Sequence, residues 1–406
     1  MSCPNDLRSL EVILTAGCNL RCSYCYQNDK KARSMDWETL RASLDLILRS
    51  RHERVEVLFI GGEPLLEFSL LRRGVAYVEK ARPRRMNVQY DIITNGMLLA
   101  DEHVDFFVEH DFDVQISFDG VPAAQDLRGK GTFAVLDRLL DRLREDRAQF
   151  FADRLRISLT LVTRTIPWLA DSVAYFLEKG VRNILISPGI TGQQDWRVER
   201  IDELDRAFEQ VFDASLRHFR RTGEVPLAAF RKTDQDPSLD EPDLPMCNVA
   251  SGDKAAVDVD GQTLGCVTFA ESYQTFPTMF LRNRLEALRM GEVRHPDLDR
   301  RLAGYPAVAR AAGLFTDKPS KYSSYGRCRE CRYLTTCGIC PVSIGHQMGN
   351  TDPHRVPDFL CAYNLVSLKY RERFPSAPRA DTVLSRLKSI YQLMREVERF
   401  VPIAHT

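Results

Sequence analysis

The stretch from Leu10 to Cys25, LEVILTAGCNLRCSYC, joins an apolar run to three closely spaced cysteines. The run predicts a buried strand, and Cys18, Cys22 and Cys25 fall in the loop that follows it. A four-iron cluster usually has four thiolate ligands, one for each iron. Three neighbouring thiols therefore leave one iron without a protein ligand, so that it can bind a reactant. The alternatives are loop cysteines without a metal and a zinc site that borrows a distant ligand, although zinc knuckles usually pair two C-x2-C hooks.

Strand and helix patterns alternate along the next part of the chain. A helical periodicity over Asp36–Ser50 is followed by further β-rich runs separated by helical patterns. Six strand–helix repeats predict a parallel sheet with crossover helices, and we expect an α/β fold built as an open, partial (β/α)6 barrel. The predicted strands after the first are Val55–Ile60, Val88–Thr94, Val114–Phe118, Ile157–Val162 and Ile184–Ser187.

Polar and glycine-rich signatures follow several of these strands. In barrels the active site forms where strands end and βα loops begin, so these residues are expected on one rim. Each signature taken singly also fits ordinary turn or strand-end capping. They are Gly61-Gly62-Glu63-Pro64, Asn95 within Thr94–Gly96, Ser117 with Asp119, and Ser187-Pro188.

A second group of cysteines lies far downstream. Cys328-x2-Cys331-x5-Cys337-x2-Cys340 is followed by Cys361 and preceded by Cys247 and Cys266. Paired C-x2-C hooks are also a zinc-ribbon pattern, so zinc remains an alternative to iron–sulfur here.

Composition excludes several classes of protein. The 406 residues carry 56 Lys plus Arg and 56 Asp plus Glu, so net charge favours neither nucleic acid nor an acidic membrane. The sequence shows no apolar run long enough to span a bilayer and no signal peptide. We therefore expect a cytoplasmic location, where clustered cysteines favour metal or catalysis over disulfides.

The cysteine distribution and composition predict four segments. They are a partial (β/α)6 barrel over 1–195, a bridging helix and linker over 196–244, a small irregular cysteine-rich domain over 245–370, and a helical segment over 371–406.

The first cysteine motif, with Tyr24 before its last cysteine, resembles the signature of the radical S-adenosylmethionine (radical SAM) superfamily. The resemblance implies that Cys18, Cys22 and Cys25 hold a [4Fe–4S] cluster, that S-adenosylmethionine chelates its open iron, and that reductive cleavage yields a 5′-deoxyadenosyl radical. Gly61–Pro64 is similar to the family's GGEP motif, in which Glu63 accepts from the cofactor's ammonium group. The remaining cofactor contacts implied are Tyr24, Asn95, Ser117, Asp119 and Arg128.

The downstream cysteines resemble the SPASM extension, which carries one or two auxiliary [4Fe–4S] clusters. By matching positions, one cluster would have four thiolates and the other three, with Asp253 standing where some relatives carry a further cysteine. The last two cysteines of the central motif are also spaced by two residues where three are usual. The implied sets are Cys328, Cys331, Cys337 and Cys361 for one cluster, and Cys247, Cys266 and Cys340 for the other.

These resemblances imply an enzyme that abstracts hydrogen from a residue of a ribosomally made peptide or protein. Partners would be that substrate, an electron donor such as flavodoxin or ferredoxin, and, if one is needed, a separate leader-peptide-binding protein. The alternatives are a sulfatase-maturating enzyme, a small-molecule radical enzyme, and a non-catalytic zinc or iron–sulfur protein. His346, His354, Tyr333 and Asp258 are polar residues of the cysteine-rich part, and the sequence singles out none of them as an acid or base.

Overall fold

The computed structural model describes residues 5–27, 32–191, 193, 195–232, 248–272, 286, 288–312, 318–345, 347 and 349–375. The first six strands pair in parallel in chain order, as the strand–helix alternation predicts. These strands are β1 (Ser9–Thr15), β2 (Arg54–Gly61), β3 (Asn87–Thr94), β4 (Asp113–Ser117), β5 (Leu155–Leu161) and β6 (Ile184–Pro188).

Helices connect consecutive strands and cover the sheet, so its core strands are apolar on both faces. In β1 every residue after Ser9 is buried. α1 begins after Asp36, whose carboxylate accepts from the Thr39 N–H at 2.7 Å and caps the helix. The helices of this half are α1 (Trp37–Leu48), α2 (Phe68–Ala81), α3 (Asp101–Glu109), α4 (Pro122–Gln125), α5 (Thr132–Asp146), α6 (Ala148–Asp153) and α7 (Leu169–Lys179).

The cysteine-rich part continues the same sheet, which the sequence does not predict. β7 (Lys254–Val257) pairs in parallel with β1, opposite β2, and β8 (Gln262–Leu264) and β9 (Gly291–Glu292) extend the sheet antiparallel. The sheet therefore has the order β6-β5-β4-β3-β2-β1-β7-β8-β9. Ser9 lies opposite Lys254 and Leu10 opposite Ala255, so residues next to both cysteine regions share one hydrogen-bonded ladder.

Two later helices join the halves. The bridging helix expected within 196–244 is observed as α8 (Ile201–Thr222), while residues 233–244 of the expected linker lie outside the described residues. α8 packs against the helix that carries Cys361, and Lys369 pairs with Asp205 across this contact at 2.7 Å. The remaining elements are α9 (Leu298–Ala311), the hairpin β10 (Tyr322–Ser323) and β11 (Gly326–Arg327), α10 (Pro341–Gly345) and α11 (Asp358–Arg373).

The helical segment predicted over 371–406 is described only as far as residue 375. Among the helices that the structure describes, none combines the length and the apolar character needed to cross a bilayer.

Candidate functional site

The loop that carries the first three cysteines is fastened to the turn after β2. The Gly62 N–H donates to the Thr15 carbonyl at 2.8 Å, and the Glu63 N–H donates to the Gly17 carbonyl at 2.9 Å. A Cβ on Gly62 would lie 2.2 Å from the Gly17 carbonyl oxygen, and one on Gly61 would lie 2.5 Å from that of Thr15. Both positions therefore require glycine, because the turn after β2 lies in backbone contact with residues 15–17. This contact fixes the position of the loop that leads to the cysteines.

Replacing Gly62 by alanine is expected to destabilise the chain by about 1–3 kcal/mol, because backbone on both sides of the contact must move. The cysteine loop should shift with it, so iron uptake should fall as well. Urea unfolding of the iron-free, reduced protein measures the first effect, and iron analysis after reconstitution measures the second.

Gly304→Ala provides the control, since Gly304 lies within α9 and a Cβ there meets nothing within 4 Å. This substitution should be neutral or stabilise by about 0.5–1 kcal/mol. Equal stability of both variants would contradict the steric argument.

Glu63 is fully buried and binds neighbouring loops of the protein itself. Its carboxylate accepts from the Leu65 N–H at 3.1 Å, the Thr94 hydroxyl at 2.7 Å and the Asn95 N–H at 2.7 Å. Burial raises the pKa of Glu63, while these hydrogen bonds act in the opposite direction. A carboxylate has about four acceptor positions, so about one is left for the ammonium group that the resemblance implies. Pro64 follows as the buried first residue of a 3-10 helix, where its missing N–H costs nothing.

Asn95 brings the end of β3 to the first cysteine. Its side-chain amide donates to the Asn19 side-chain oxygen Oδ1 at 2.7 Å and lies 3.9 Å from the Cys18 sulfur. The Leu20 N–H also points at this sulfur, at 3.4 Å. Hydrogen bonds to ligating sulfurs tune an iron–sulfur cluster, so the donors around Cys18 suit a cluster ligand.

A second group of predicted residues forms a buried ion pair beside the cysteine loop. Asp119 and Arg128 are 1% and 8% exposed, and Arg128 Nη2 lies 2.8 Å from the carboxylate. Thr160 joins the pair, donating its N–H to Asp119 at 2.9 Å and accepting from Arg128 at 3.1 Å. The Tyr24 hydroxyl also donates to Asp119. The pair therefore holds the aromatic residue that precedes Cys25.

Two features of this group bear on cofactor binding. Burial raises the pKa of Tyr24 well above its usual value, so the phenol stays protonated and keeps donating. Arg128 Nε is buried and has no hydrogen-bond partner in the described part of the chain. A buried donor without an acceptor is costly, so this N–H fits an anionic group of a bound molecule.

Cys18, Cys22 and Cys25 are half-buried on one loop. Within the described ranges, no three His, Cys, Asp or Glu side chains converge closely enough to hold a single metal ion. A zinc ion needs its ligands around one point, whereas a four-iron cluster binds each thiolate through a different iron. Three thiols on one loop are the number that leaves one iron of such a cluster without a protein ligand.

The structure does not bring all predicted residues together. Ser117 ends β4 half-buried and is paired in the sheet with Ser158. Sequence reasoning missed Thr160, which joins the Asp119–Arg128 pair, and named Thr94 only as part of a strand-end signature, without its bond to Glu63. Both are threonines at strand ends, a pattern too common to signal a site.

Four of the later cysteines line one cavity of 410 Å³. The set is the one that the resemblance implies for a single cluster: Cys328, Cys331, Cys337 and Cys361. Burial raises the pKa of the Cys337 thiol to about 12 and that of Cys361 to about 11. Because metal ligation requires thiolates, loading this cavity must release protons.

Cys266 and Cys340 line a separate cavity of 470 Å³. Cys247, the third predicted ligand, lies outside the described residues. Asp253 does not line this cavity, and its carboxylate accepts from the Ser251 hydroxyl. Lys254 does line it, and a buried carboxylate of β1, Glu11, pairs with the lysine ammonium.

The polar residues considered as acid or base have other partners. Tyr333 lines the four-cysteine cavity and donates to Glu372 at 3.1 Å, and Asp258 is buried and accepts from the Ser272 hydroxyl at 2.6 Å. His354 contacts the Ser320 hydroxyl at 2.8 Å, while His346 lies outside the described residues.

Comparisons with known proteins agree with this geometry. Residues 12–150 match the model of the radical SAM superfamily. An uncharacterized protein of Methanocaldococcus jannaschii is 31% identical over 186 residues, 44% of this chain and 62% of that protein. A cysteine-type anaerobic sulfatase-maturating enzyme of Clostridium novyi is 31% identical over 131 residues, 30% of this chain and 35% of that enzyme. The match thus spans less than two thirds of either relative.

Solved structures extend the likeness in fold over most of the chain. Native anSMEcpe with bound AdoMet and Kp18Cys peptide has a TM-score of 0.68 at 17% identity, covering 90% of this chain and 97% of that one. SuiB of Streptococcus suis, bound to precursor peptide SuiA, has a TM-score of 0.56 at 15% identity, covering 89% and 76%. Residues 12–150, which include the cysteine loop and its fastening to the second strand, therefore form a radical SAM domain, and the solved structures show a similar fold over most of the chain.

Proposed function

We propose that the chain is an enzyme that binds a [4Fe–4S] cluster through Cys18, Cys22 and Cys25 and S-adenosylmethionine beside it. The observation that carries the proposal is the cysteine loop itself, which is held by the Gly61–Glu63 turn and presents three spaced thiols at the rim of a parallel sheet. When bound and reduced, such a cluster supplies a 5′-deoxyadenosyl radical from S-adenosylmethionine.

The protein's contribution is positioning. Asn95 and the Leu20 N–H steady Cys18, and Asp119 fixes both Tyr24 and Arg128. The open N–H of Arg128 then serves as a donor for the carboxylate of S-adenosylmethionine. Burial of these groups excludes water from the place where a reactive species forms.

We further propose that the substrate is a residue of a ribosomally made peptide or protein, which undergoes oxidative maturation or cross-linking. Two solved structures of similar fold contain peptides, one of them a precursor peptide. The two cysteine-lined cavities provide places for auxiliary [4Fe–4S] clusters that accept electrons in such oxidations. An electron donor such as flavodoxin or ferredoxin would complete the system.

Sulfatase maturation is the second candidate, favoured by the similarity to the Clostridium novyi enzyme. It differs from the leading proposal in its substrate, a serine or cysteine of a sulfatase. A sulfatase-derived peptide carrying deuterium at the Cβ of that residue therefore distinguishes the two.

Deuterium transfer tests the substrate class. The reconstituted protein is incubated anaerobically with S-adenosylmethionine, dithionite, and the peptide fraction of source cells grown on deuterated amino acids. Deuterium is expected in 5′-deoxyadenosine, and digestion of the fraction with protease beforehand should abolish it. Transfer that survives digestion, or that comes only from the metabolite fraction, would contradict a peptide substrate. The Cys22→Ala variant sets the background.

A further inference from the structure

The four-cysteine cavity contains a buried cation. Lys318 lines the cavity and is 2% exposed. Lys321 is 1% exposed, and its N–H donates to the Lys318 carbonyl at 3.1 Å. Lysine is almost never fully buried without a partner, because removing an ammonium from water is costly. A lysine buried among thiols therefore calls for a physical reason.

Lys318 has little compensation for its charge within the part of the chain that the structure describes. Its ammonium reaches the Thr335 carbonyl only at 3.5 Å, and among the described residues no carboxylate pairs with it. Burial lowers the pKa of Lys318, whereas Cys337, Cys328 and Cys331 act to raise it. The groups that favour its charge are thus three of the four thiols that line the cavity.

Other charges at this cavity are more exposed. Arg327 and Glu330 lie at its rim in contact with solvent, and Arg332 is paired with Glu372 at 2.8 Å. Water and salt weaken the effect of such exposed groups on the interior. Lys321 is also buried, and its ammonium donates to the Pro353 carbonyl at 3.0 Å. Burial raises the pKa of Cys328 and of Cys337; Lys318 acts to lower both, and Lys321 acts to lower that of Cys328.

The second cysteine cavity provides a contrast within the same chain. Its lysine, Lys254, is paired with the Glu11 carboxylate, whose other oxygen accepts from the Val267 N–H at 3.0 Å. The charge of Lys254 is therefore largely cancelled by the protein. Among the described residues, by contrast, the groups that favour the charge of Lys318 are the cavity thiols.

We propose that Lys318 is the counter-charge of a [4Fe–4S] cluster held by Cys328, Cys331, Cys337 and Cys361, and that it raises the reduction potential of this cluster. Four thiolates make the loaded site anionic, and one-electron reduction adds a further negative charge. A fixed ammonium that lines the same cavity stabilises the reduced form more than the oxidised form.

This inference rests on the proposed function, since it requires an iron–sulfur cluster in the cavity. Lys318→Met keeps the length of the side chain and removes its charge, whereas Lys318→Arg keeps the charge. Lys369→Met is the matched control, because Lys369 pairs with Asp205 and lines neither of the two cysteine cavities described above.

The experiment is an anaerobic redox titration of the reconstituted full-length chain, followed by electron paramagnetic resonance and accompanied by iron analysis. Cys18, Cys22 and Cys25 are replaced by serine throughout, so that only auxiliary clusters titrate. We expect Lys318→Met to shift one midpoint potential to a more negative value. Lys318→Arg and Lys369→Met should leave both potentials near those of the parent chain.

Each other outcome has a definite meaning. Loss of about four irons in Lys318→Met but not in Lys318→Arg would also support the proposal, because the charge is then needed to assemble the cluster. Equal shifts or equal iron loss in both variants, or no shift in either, would overturn it and leave Lys318 as a packing residue. A parent chain without auxiliary iron would overturn the auxiliary part of the proposed function as well, which separates the two failures.

Discussion

A chain in which Cys18, Cys22 and Cys25 are all replaced by serine is expected to lose about four iron atoms and all production of 5′-deoxyadenosine. Each four-iron cluster contributes about four irons, so reconstituted wild-type protein with three clusters should hold about twelve and the variant about eight. Activity should disappear entirely, because the radical chemistry depends on this cluster alone. Iron analysis and chromatography for 5′-deoxyadenosine, with S-adenosylmethionine and dithionite, measure both effects.

Cys3→Ser serves as the control for this experiment, since Cys3 is the cysteine that no predicted cluster uses. It should retain all iron and all activity. Loss of all iron from the triple variant would show that the clusters do not load independently. Iron content of the wild type near eight would indicate that one auxiliary site stays empty, and zinc in place of iron would contradict the radical reaction.

Removing the charge of Asp119 has the second largest expected effect. The Asp119–Arg128 pair is buried, with side-chain exposures of 0% and 8%, so Asp119→Asn leaves an arginine charge uncompensated in the interior. Breaking a buried pair in this way costs about 3–5 kcal/mol. Urea unfolding of the iron-free, reduced chain checks this value.

Asp105→Asn is the matched control, because Asp105 pairs with Arg147 in an exposed ion pair of 59% and 40% side-chain exposure. Exposed pairs contribute about 0–1 kcal/mol. The double variant Asp119→Leu, Arg128→Leu should recover part of the lost stability, since no charge then remains buried. Similar losses at Asp105 and Asp119 would refute the role assigned to the buried pair.

The sequence predicts the parallel sheet well because its strands carry strong local signals. The runs from Leu10 and from Val55 are apolar and β-rich, and parallel strands that are buried on both faces read in this way. The cysteine loop and the Gly61–Pro64 turn were predicted to lie at one rim for the same reason, since the ends of neighbouring parallel strands meet there. Pairing of β7 with β1 could not be predicted, because it joins residues far apart in the chain and β7 has only four residues.

The charged and hydrogen-bonded partners of the site residues could not be predicted from the sequence. Lys318 resembles any surface lysine in the sequence, and only its burial among thiols distinguishes it. Glu63 was expected to face the cofactor, whereas the structure commits most of its acceptor capacity to Leu65, Thr94 and Asn95. Such assignments depend on how side chains from several loops converge, which no local pattern encodes.

The pairing of β1 with β7 also affects how the chain folds as it leaves the ribosome. The edge of β1 that pairs with β7 has no partner until residues 254–257 have been synthesised. At about 5–20 residues per second, this takes roughly 12–50 s after β1 is made. During that time a strand with an apolar interior presents unpaired N–H and C=O groups, which can pair with other chains. A chain cut between the two cysteine regions would remain in this state permanently, so expression of the N-terminal half alone is expected to give aggregated protein.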